Sequence, residues 1–267
     1  MPFTEKQHTF VICAYQESPF LENCIRSLEE QTLHSRILMI TSTPGPWLSD
    51  VAQRHGLSLL VNPNGAGIGS DWEFGLSSAR TPLVTLAHQD DLYEPEYLKS
   101  ALACLNAAAR PLIFFSDYAE LRGSEKTTRN ANLSIKKLML FPLRFRRLQK
   151  SRWVRRRVLS LGNPVCCPAV TYVRQAVPSP LFDRSFSCNL DWAAWARLAD
   201  LKGSFAYLPV PLMQHRIHSG STTTKIIGEN KRVTEDLRIL RRFWPSPLAN
   251  LIERIYSRGE QSNSLGG

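Results

Sequence analysis

Two adjacent carboxylates come directly after an apolar run, in the tetrapeptide His88-Gln89-Asp90-Asp91 that follows residues 83–87. A buried strand that ends in acids places them at the carboxyl edge of a sheet, where α/β proteins bind their ligands. Neighbouring carboxylates repel each other and lose solvation, and a divalent cation that holds a diphosphate relieves both effects. The spacing alone is equally typical of a solvated turn or a helix N-cap.

Strand and helix patterns alternate over the first 117 residues. Strands are predicted at residues 9–14, 36–41, 57–61, 83–87 and 112–116. Helices are predicted between them, at 21–28, 48–55, 70–79 and 95–108. Such alternation indicates an α/β fold with a mainly parallel sheet and right-handed crossovers. The pattern then breaks into a helix near 192–201, short strands near 205–208 and 214–218, and two amphipathic C-terminal helices.

Composition favours a folded cytoplasmic protein. The chain has 267 residues, of which 43% are hydrophobic, enough for one large core. No apolar stretch approaches the roughly 20 residues that cross a bilayer, and the N-terminus lacks a signal-peptide pattern. The six cysteines form no CxxC pair, which predicts reduced thiols rather than disulfides or a zinc site.

The net charge of +10 is concentrated in residues 126–182, which contain thirteen Lys or Arg and no acid. Apolar side chains alternate with these cations, and the mixture suits an anionic membrane surface, a nucleic-acid backbone or a solvated basic face. The residues predicted to face a membrane are Arg144, Arg146, Arg147, Trp153, Arg155, Arg156 and Arg157.

The glycines of Gly65-Ala66-Gly67-Ile68-Gly69 are more typical of a loop than of a cofactor site. A dinucleotide fingerprint needs its glycines straight after the first strand, where this chain has Ala14-Tyr15-Gln16-Glu17. A P-loop motif is missing as well.

Four motifs resemble, in order, those of family 2 glycosyltransferases, over roughly residues 8–223. They are Val11-Ile12-Cys13-Ala14-Tyr15-Gln16-Glu17, His88-Gln89-Asp90-Asp91, Asn189-Leu190-Asp191-Trp192 and His215-Arg216-Ile217-His218-Ser219-Gly220-Ser221. The resemblance implies the GT-A fold, a nucleotide-diphosphate sugar donor, a Mn²⁺ or Mg²⁺ ion and inversion at the anomeric carbon.

The resemblance also implies roles for single residues. Asp90 would be the metal ligand, with His218 as a second ligand, and Asp191 would be the general base. The implied donor-binding residues are Ala14, Tyr15, Glu17, Asp71, His88, Gln89 and Asp91. Trp192 and Trp195 would offer sugar-stacking faces to the acceptor. The alternatives are a structural histidine for His218, strand-end packing for Tyr15 and Glu17, and helix capping for Asp191.

Three positions depart from the family pattern. His88 replaces the first acid of the usual Asp-x-Asp, and Leu190 replaces the acid that often precedes the base. Thr41-Ser42-Thr43 occupies the strand end where an Asp commonly meets the nucleotide base, which leaves the base open.

These observations predict a transferase domain at 1–223 and a helical extension at 224–267. Within the domain, 1–117 would bind the nucleotide sugar, 118–161 would face the membrane or acceptor, and 162–223 would bind the acceptor. The expected function is metal-dependent transfer, with a UDP-sugar as the expected donor, to a hydroxyl of a lipid-linked or polysaccharide acceptor during surface glycan synthesis at the inner membrane face. The alternatives are a nucleic-acid-binding protein, for which no motif is present, and a silent nucleotide-sugar binder.

Overall fold

A computed structural model describes residues 1–65, 67–218 and 229–264, and side chains within 1–65, 67–218 and 231–257. The described strands are β1 His8–Ala14, β2 Arg36–Thr41, β3 Ser58–Val61, β4 Leu83–His88, β5 Leu92–Tyr93, β6 Pro111–Arg122, β7 Glu125–Thr127, β8 Val170–Val173 and β9 Ser204–Arg216. The helices are α1 Leu21–Glu29, α2 Pro46–Arg54, α3 Ile68–Ser78, α4 Tyr97–Ala107, α5 Ala131–Leu140, α6 Arg146–Gln149, α7 Arg152–Val158, α8 Leu190–Ala199, α9 Glu229–Leu240 and α10 Ser246–Ser264.

The described strands form one mixed sheet in the order β3-β2-β1-β4-β8-β6-β9-β5, with β7 paired to β6. Strands β3, β2, β1 and β4 are parallel neighbours, and β6 pairs in parallel with β9. Strand β8 runs antiparallel between β4 and β6. The predicted α/β class with a mainly parallel sheet is confirmed.

Burial explains the apolar runs of the central strands. β1 and β4 are buried along almost their whole length, because helices cover both faces of the sheet. Helix α1 buries Leu21, Cys24, Ile25 and Leu28, a spacing that puts one apolar stripe against the sheet.

Strands β6 and β9 are longer than the sequence pattern predicted. The two short strands expected near 205–208 and 214–218 are one strand, and β6 continues past Ser116 to Arg122. The pattern ends at Ser116 because polar residues follow it, but these are buried with partners: Tyr207 donates to Asp117 and Asn130 donates to Glu120. The long pairing of β6 with β9 carries residue 216 to the carboxyl edge of the sheet.

The C-terminal helices share the main core. Ile239 and Leu240 of α9 and Ala249 of α10 are fully buried and belong to the same apolar cluster as the tryptophans of α8. The indole of Trp244, between the two helices, donates to the carbonyl of Ser160 at 2.7 Å.

Helix α7 packs into the fold, so the prediction that Arg155 and Arg156 face a membrane is corrected. Arg155 is fully buried, donates to the carbonyl of Leu201 and lies over the ring of Phe205. Arg156 pairs with Asp200. Composition predicts surface charge at Arg155 and Arg156, whereas each guanidinium here binds a backbone carbonyl and lies over a phenylalanine ring.

The other predicted membrane-facing residues are exposed: Arg144, Arg146, Arg147, Trp153 and Arg157. The Arg157 guanidinium lies 4.7 Å from the ring centre of Trp244. None of the helices in the described part of the chain combines the length and apolarity needed to cross a membrane.

Candidate active site

The loops after β1, β2 and β4 are joined at the carboxyl edge of the sheet. The side-chain amide of Gln89 donates to the carbonyl of Tyr15 at 3.0 Å and accepts from its N–H at 2.9 Å. The N–H of Gln16, a residue with a φ of 55°, donates to Thr43 Oγ1. Tyr15 and Glu17 are exposed, so this edge presents a ring and a carboxylate to solvent.

Asp71 is buried close to the ends of β2 and β3. Ser42 Oγ donates to one carboxylate oxygen and Asn62 Nδ2 to the other, both at 2.8 Å. Ser42 stands where the family pattern has an acid, so the carboxylate at this edge comes from α3 instead of from the strand end. Asn62 had no motif to mark it in the sequence.

Asp90 and His218 meet across the sheet. His218 Nε2 donates to Asp90 Oδ2 at 3.0 Å, and both side chains remain partly exposed. About 3.0 Å is also the separation of two neighbouring ligands around an octahedral ion with bonds of 2.1 Å. The spacing of the carboxylate oxygen and the imidazole nitrogen is therefore compatible with two neighbouring ligands of one ion.

Asp91 is a structural residue, and its prediction as a donor contact is wrong. It is fully buried, and its Oδ1 accepts from the His215 ring at 3.1 Å and from the backbone N–H of Arg216 at 2.9 Å. Burial disfavours a charged imidazole, but the Asp91 carboxylate outweighs it and raises the pKa of His215. Arg216 Nε donates in turn to the carbonyl of Asp90, which fixes the loop that presents the Asp90 carboxylate.

His88 is fixed by stacking rather than by a hydrogen bond. The indole of Trp72 lies parallel to its imidazole, with ring centres 5.3 Å apart and an angle of 14°. Nδ1 is 3.8 Å from Asp91 Oδ2, and Nε2 is buried with no hydrogen-bond partner in the described part of the chain. A buried nitrogen without a partner is uncommon, and a bound water or ligand would complete its hydrogen bonding.

Asp191 stands in the first turn of α8. Its carboxylate accepts from Asn163 Nδ2 at 2.8 Å and from the N–H of Trp192 at 2.7 Å. Burial raises the pKa of Asp191, and these two hydrogen bonds and the charges of Lys136 and His88 oppose that rise. A carboxylate with a raised pKa is a stronger base, as proton abstraction requires.

The first turn of α8 packs closely against the first turn of α3. A Cβ on Gly69 would lie only 2.9 Å from Leu190 Cδ2, so the start of α3 contacts the residue before Asp191. The glycine-rich segment thus allows two helix N-termini to approach each other, which is a packing role. Ala66 within that segment lies outside the described residues.

Three predicted contacts are excluded by burial. Trp192 and Trp195 are fully buried and offer no sugar-stacking face, since one indole donates to Leu159 and the other stacks on Tyr172. The Ala14 side chain belongs to the core. In the sequence, a tryptophan beside a motif acid is equally typical of a sugar-stacking residue and of a core residue. Only the packing of α8 shows that Trp192 and Trp195 are core residues.

Three further site residues were missed: Asn163, Trp72 and Lys136. Lys136 donates to the hydroxyl of Tyr118 at 3.0 Å and acts electrostatically on Asp191, although it was counted only as one cation of the basic segment. Asn163 and Trp72 lie outside the four motifs at no regular spacing from them. Only the fold brings Asn163 to Asp191 and Trp72 to His88. Ser219, Gly220 and Ser221 of the last motif lie outside the described residues.

A family model described as Glycosyl transferase family 2 matches residues 9–163. Among solved structures, the chain is similar to S. aureus TarS 1-349 in complex with UDP-GlcNAc, with 14% identity, a TM-score of 0.62 and coverage of 92% of this chain and 70% of that one. A second TarS structure gives 13% identity and a TM-score of 0.58, with 92% of this chain and 42% of that chain covered. The mannosyltransferase PcManGT from Pyrobaculum calidifontis, in complex with GDP-Man and Mn²⁺, gives 11% identity and a TM-score of 0.63, covering 100% and 77%. Curated proteins gave no match.

The sheet order, the acids at its carboxyl edge and these structural likenesses define the GT-A fold of glycosyltransferases. The family match extends over more than half of the sequence, and the chain belongs to glycosyl transferase family 2. It is therefore a glycosyltransferase. Asp191 and His218 lie beyond the matched residues, so their roles depend on the geometry above.

Removing the Asn163 amide is expected to move the acid limb of the pH–rate profile to higher pH. Asn163 stabilises the ionised form of Asp191, so Asn163→Leu raises the pKa of the carboxyl further and the carboxylate is protonated earlier as pH falls. The measurement is kcat/KM for nucleotide-sugar turnover against pH. Asn106→Leu, which removes an exposed amide that exchanges two hydrogen bonds with the backbone of Phe3, is the matched control. An acid limb that stays in place, or moves to lower pH, contradicts the role of Asp191.

Proposed function

We propose that this protein is a metal-dependent, inverting glycosyltransferase that moves a sugar from a nucleotide-diphosphate donor to a hydroxyl of a lipid-linked or polysaccharide acceptor. UDP-sugars are the donors proposed first, and surface glycan synthesis at the inner face of a membrane is the proposed setting. The meeting of Asp90 with His218 at the carboxyl edge carries this proposal, because it gives a two-ligand site beside the donor recess.

The residues present fit a divalent ion that the donor completes. Within residues 1–65, 67–218 and 229–264, no group of three or more His, Cys, Asp or Glu side chains is placed to hold a metal. Asp90 and His218 would hold Mn²⁺ or Mg²⁺ together with phosphate oxygens, an arrangement common for ions bound with nucleotides. The ion, when bound, neutralises charge that develops on the departing diphosphate.

The donor recess offers groups for each part of a nucleotide sugar. Exposed Tyr15 can stack on the base, while Glu17 and Asp71 can accept hydrogen bonds from base or ribose donors. Gln89 fixes the loop that carries Tyr15, and the buried Nε2 of His88 has no hydrogen-bond partner among the described residues. TarS and PcManGT were solved with UDP-GlcNAc and GDP-Man, which supports a nucleotide-sugar donor and leaves the base to be measured.

Asp191 performs the proton transfer in this proposal. Its carboxylate takes the proton from the acceptor hydroxyl as that oxygen bonds to the anomeric carbon. The bond from that carbon to the phosphate oxygen breaks on the opposite side, and its electron pair leaves with the nucleoside diphosphate. Asn163 and the N–H of Trp192 hold the carboxylate in one orientation throughout.

Asp191→Asn is expected to retain donor binding and to lower turnover by about 10²–10⁴-fold, since it keeps the shape and removes the proton acceptor. Hydrolysis of UDP-GlcNAc and GDP-mannose measures turnover, and calorimetry with UDP or GDP measures binding. Asp50→Asn, which changes an exposed acid on α2, is the control. Normal turnover in folded Asp191→Asn would assign the carboxylate to the structure of α8.

Nucleoside diphosphate and Mn²⁺ are expected to raise each other's affinity by the same factor, because each completes the other's site. Calorimetry of UDP and GDP with Mn²⁺ and with EDTA measures this coupling. Asp90→Asn is expected to abolish most of it, and His218→Ala to reduce it less, because the carboxylate remains. Equal nucleotide affinity in EDTA and in Mn²⁺ would show that the pair is not a metal site.

The proposed membrane surface lies on α5, α6 and the turn between them. Its cations are Arg144, Arg146 and Arg147, and its exposed apolar side chains are Ile135, Leu138, Phe141 and Phe145. Apolar groups ringed by cations suit the headgroup layer of an anionic membrane. Helix α5 also carries Lys136, which acts on Asp191, so the surface adjoins the active site and would bring it to a lipid-linked acceptor.

Replacing Arg144, Arg146 and Arg147 with Gln is expected to lower partitioning onto anionic vesicles by about 10- to 100-fold at low salt, since each cation near the leaflet contributes about 1 kcal/mol. Donor hydrolysis in solution should be unchanged. The charge-matched control replaces Lys6, Arg36 and Arg80, exposed cations at the amino-terminal edge of the strands. Equal losses in both variants would mean that net charge, not this surface, holds the protein on vesicles.

A further inference from the structure

Helix α9 holds the segment that leads into the catalytic helix. The carboxylate of Glu235 accepts three successive backbone N–H groups, from Ser187 at 2.7 Å, Cys188 at 2.9 Å and Asn189 at 3.0 Å. These N–H groups belong to the segment that precedes α8 and lies outside the strands. One side chain from the C-terminal region therefore fixes the backbone only two residues before Asp191.

The neighbouring acid of α9 fixes the same segment from a second direction. Asp236 Oδ1 accepts from Asn189 Nδ2 at 2.7 Å, while the carbonyl of Asn189 accepts the first hydrogen bond of α8, from Ala193. Glu235 and Asp236 are 5% and 1% exposed. Buried carboxylates are costly unless their oxygens are bound, so these two fix the direction of the groups that bind them.

The C-terminal region also supports the segment that carries Asn163. Trp244 donates to the carbonyl of Ser160, and the ring of Tyr256 packs against Gly162 so closely that a Cβ there would lie 2.5 Å from it. Gly162 has a φ of 155°, which glycine adopts without strain. Residues 235–256 thus contact both the segment that precedes Asp191 and the segment that carries Asn163.

We propose that Glu235 and Asp236 are positioning residues for Asp191, so that the two C-terminal helices are part of the catalytic apparatus. The inference rests on the proposed role of Asp191 as the base. Displacement of a reacting group by about 1 Å can lower a rate by about 10²-fold, and release of the 187–189 segment allows a movement of that size.

The test uses the full chain with Glu235→Gln, which keeps the side-chain size and removes the charge. We expect kcat for hydrolysis of UDP-GlcNAc or GDP-mannose to fall about 10- to 100-fold, with KM and nucleotide affinity changed less than about twofold. Hydrogen exchange at the amides of 187–189 is expected to quicken in parallel. Ile239→Val, a cavity in the buried face of the same helix, controls for a general loss of stability.

Asp236 supplies a second pair of variants, should Glu235→Gln fail to fold. Asp236→Asn keeps an oxygen for the Asn189 amide and is expected to retain most of kcat, whereas Asp236→Leu removes it and should lower kcat. Equal kcat in the two variants overturns the inference, as does equal loss in Glu235→Gln and Ile239→Val. Normal turnover in Asp191→Asn would show that the proposed base is wrong. An inactive Asp191→Asn together with a fully active Glu235→Gln would instead overturn only the positioning role of Glu235.

Discussion

The buried carboxylate of Asp91 joins the two halves of the active site. Asp91 follows β4, and its carboxylate accepts hydrogen bonds from His215 and Arg216 at the end of β9. The ends of these two strands are therefore held together by one buried charge. Leaving such a charge unpaired in the interior costs several kcal/mol, which makes the convergence specific. Asp90 and His218 face each other because their neighbours are held in this way.

The first half of the fold could be predicted from the sequence because its elements are local. Apolar periodicity marks β1 to β4 and their helices, and the acids at the end of β4 were placed correctly at the carboxyl edge. The second half could not, because β6 and β9 bury polar residues such as Asp117 whose partners are distant in sequence. Asp91 and the α8 tryptophans were misassigned for the same reason: a motif identifies a residue type at an edge, and tertiary burial decides whether it faces ligand or core.

Positive and negative side chains lie close together in the candidate active site. Asp90 and Asp191 bring negative charge, while Lys136 on α5 and His88 at the end of β4 favour the ionised form of Asp191. The arginines that composition predicts at the surface lie in two different environments. Arg155 is inside the fold, whereas Arg144, Arg146 and Arg147 stay in solvent beside four exposed apolar side chains.

The long separation of Asp90 from His218, 128 residues along the chain, has a consequence for biosynthesis. A ribosome releases the β1–β4 half first, and its short-range pairings can form while the rest is still being made. The contacts of β9 and of α9 close much larger loops, so they form late in folding. A nascent chain therefore exposes its strand edges before it can bind a nucleotide, and binding of that ligand reports completed assembly of the whole molecule.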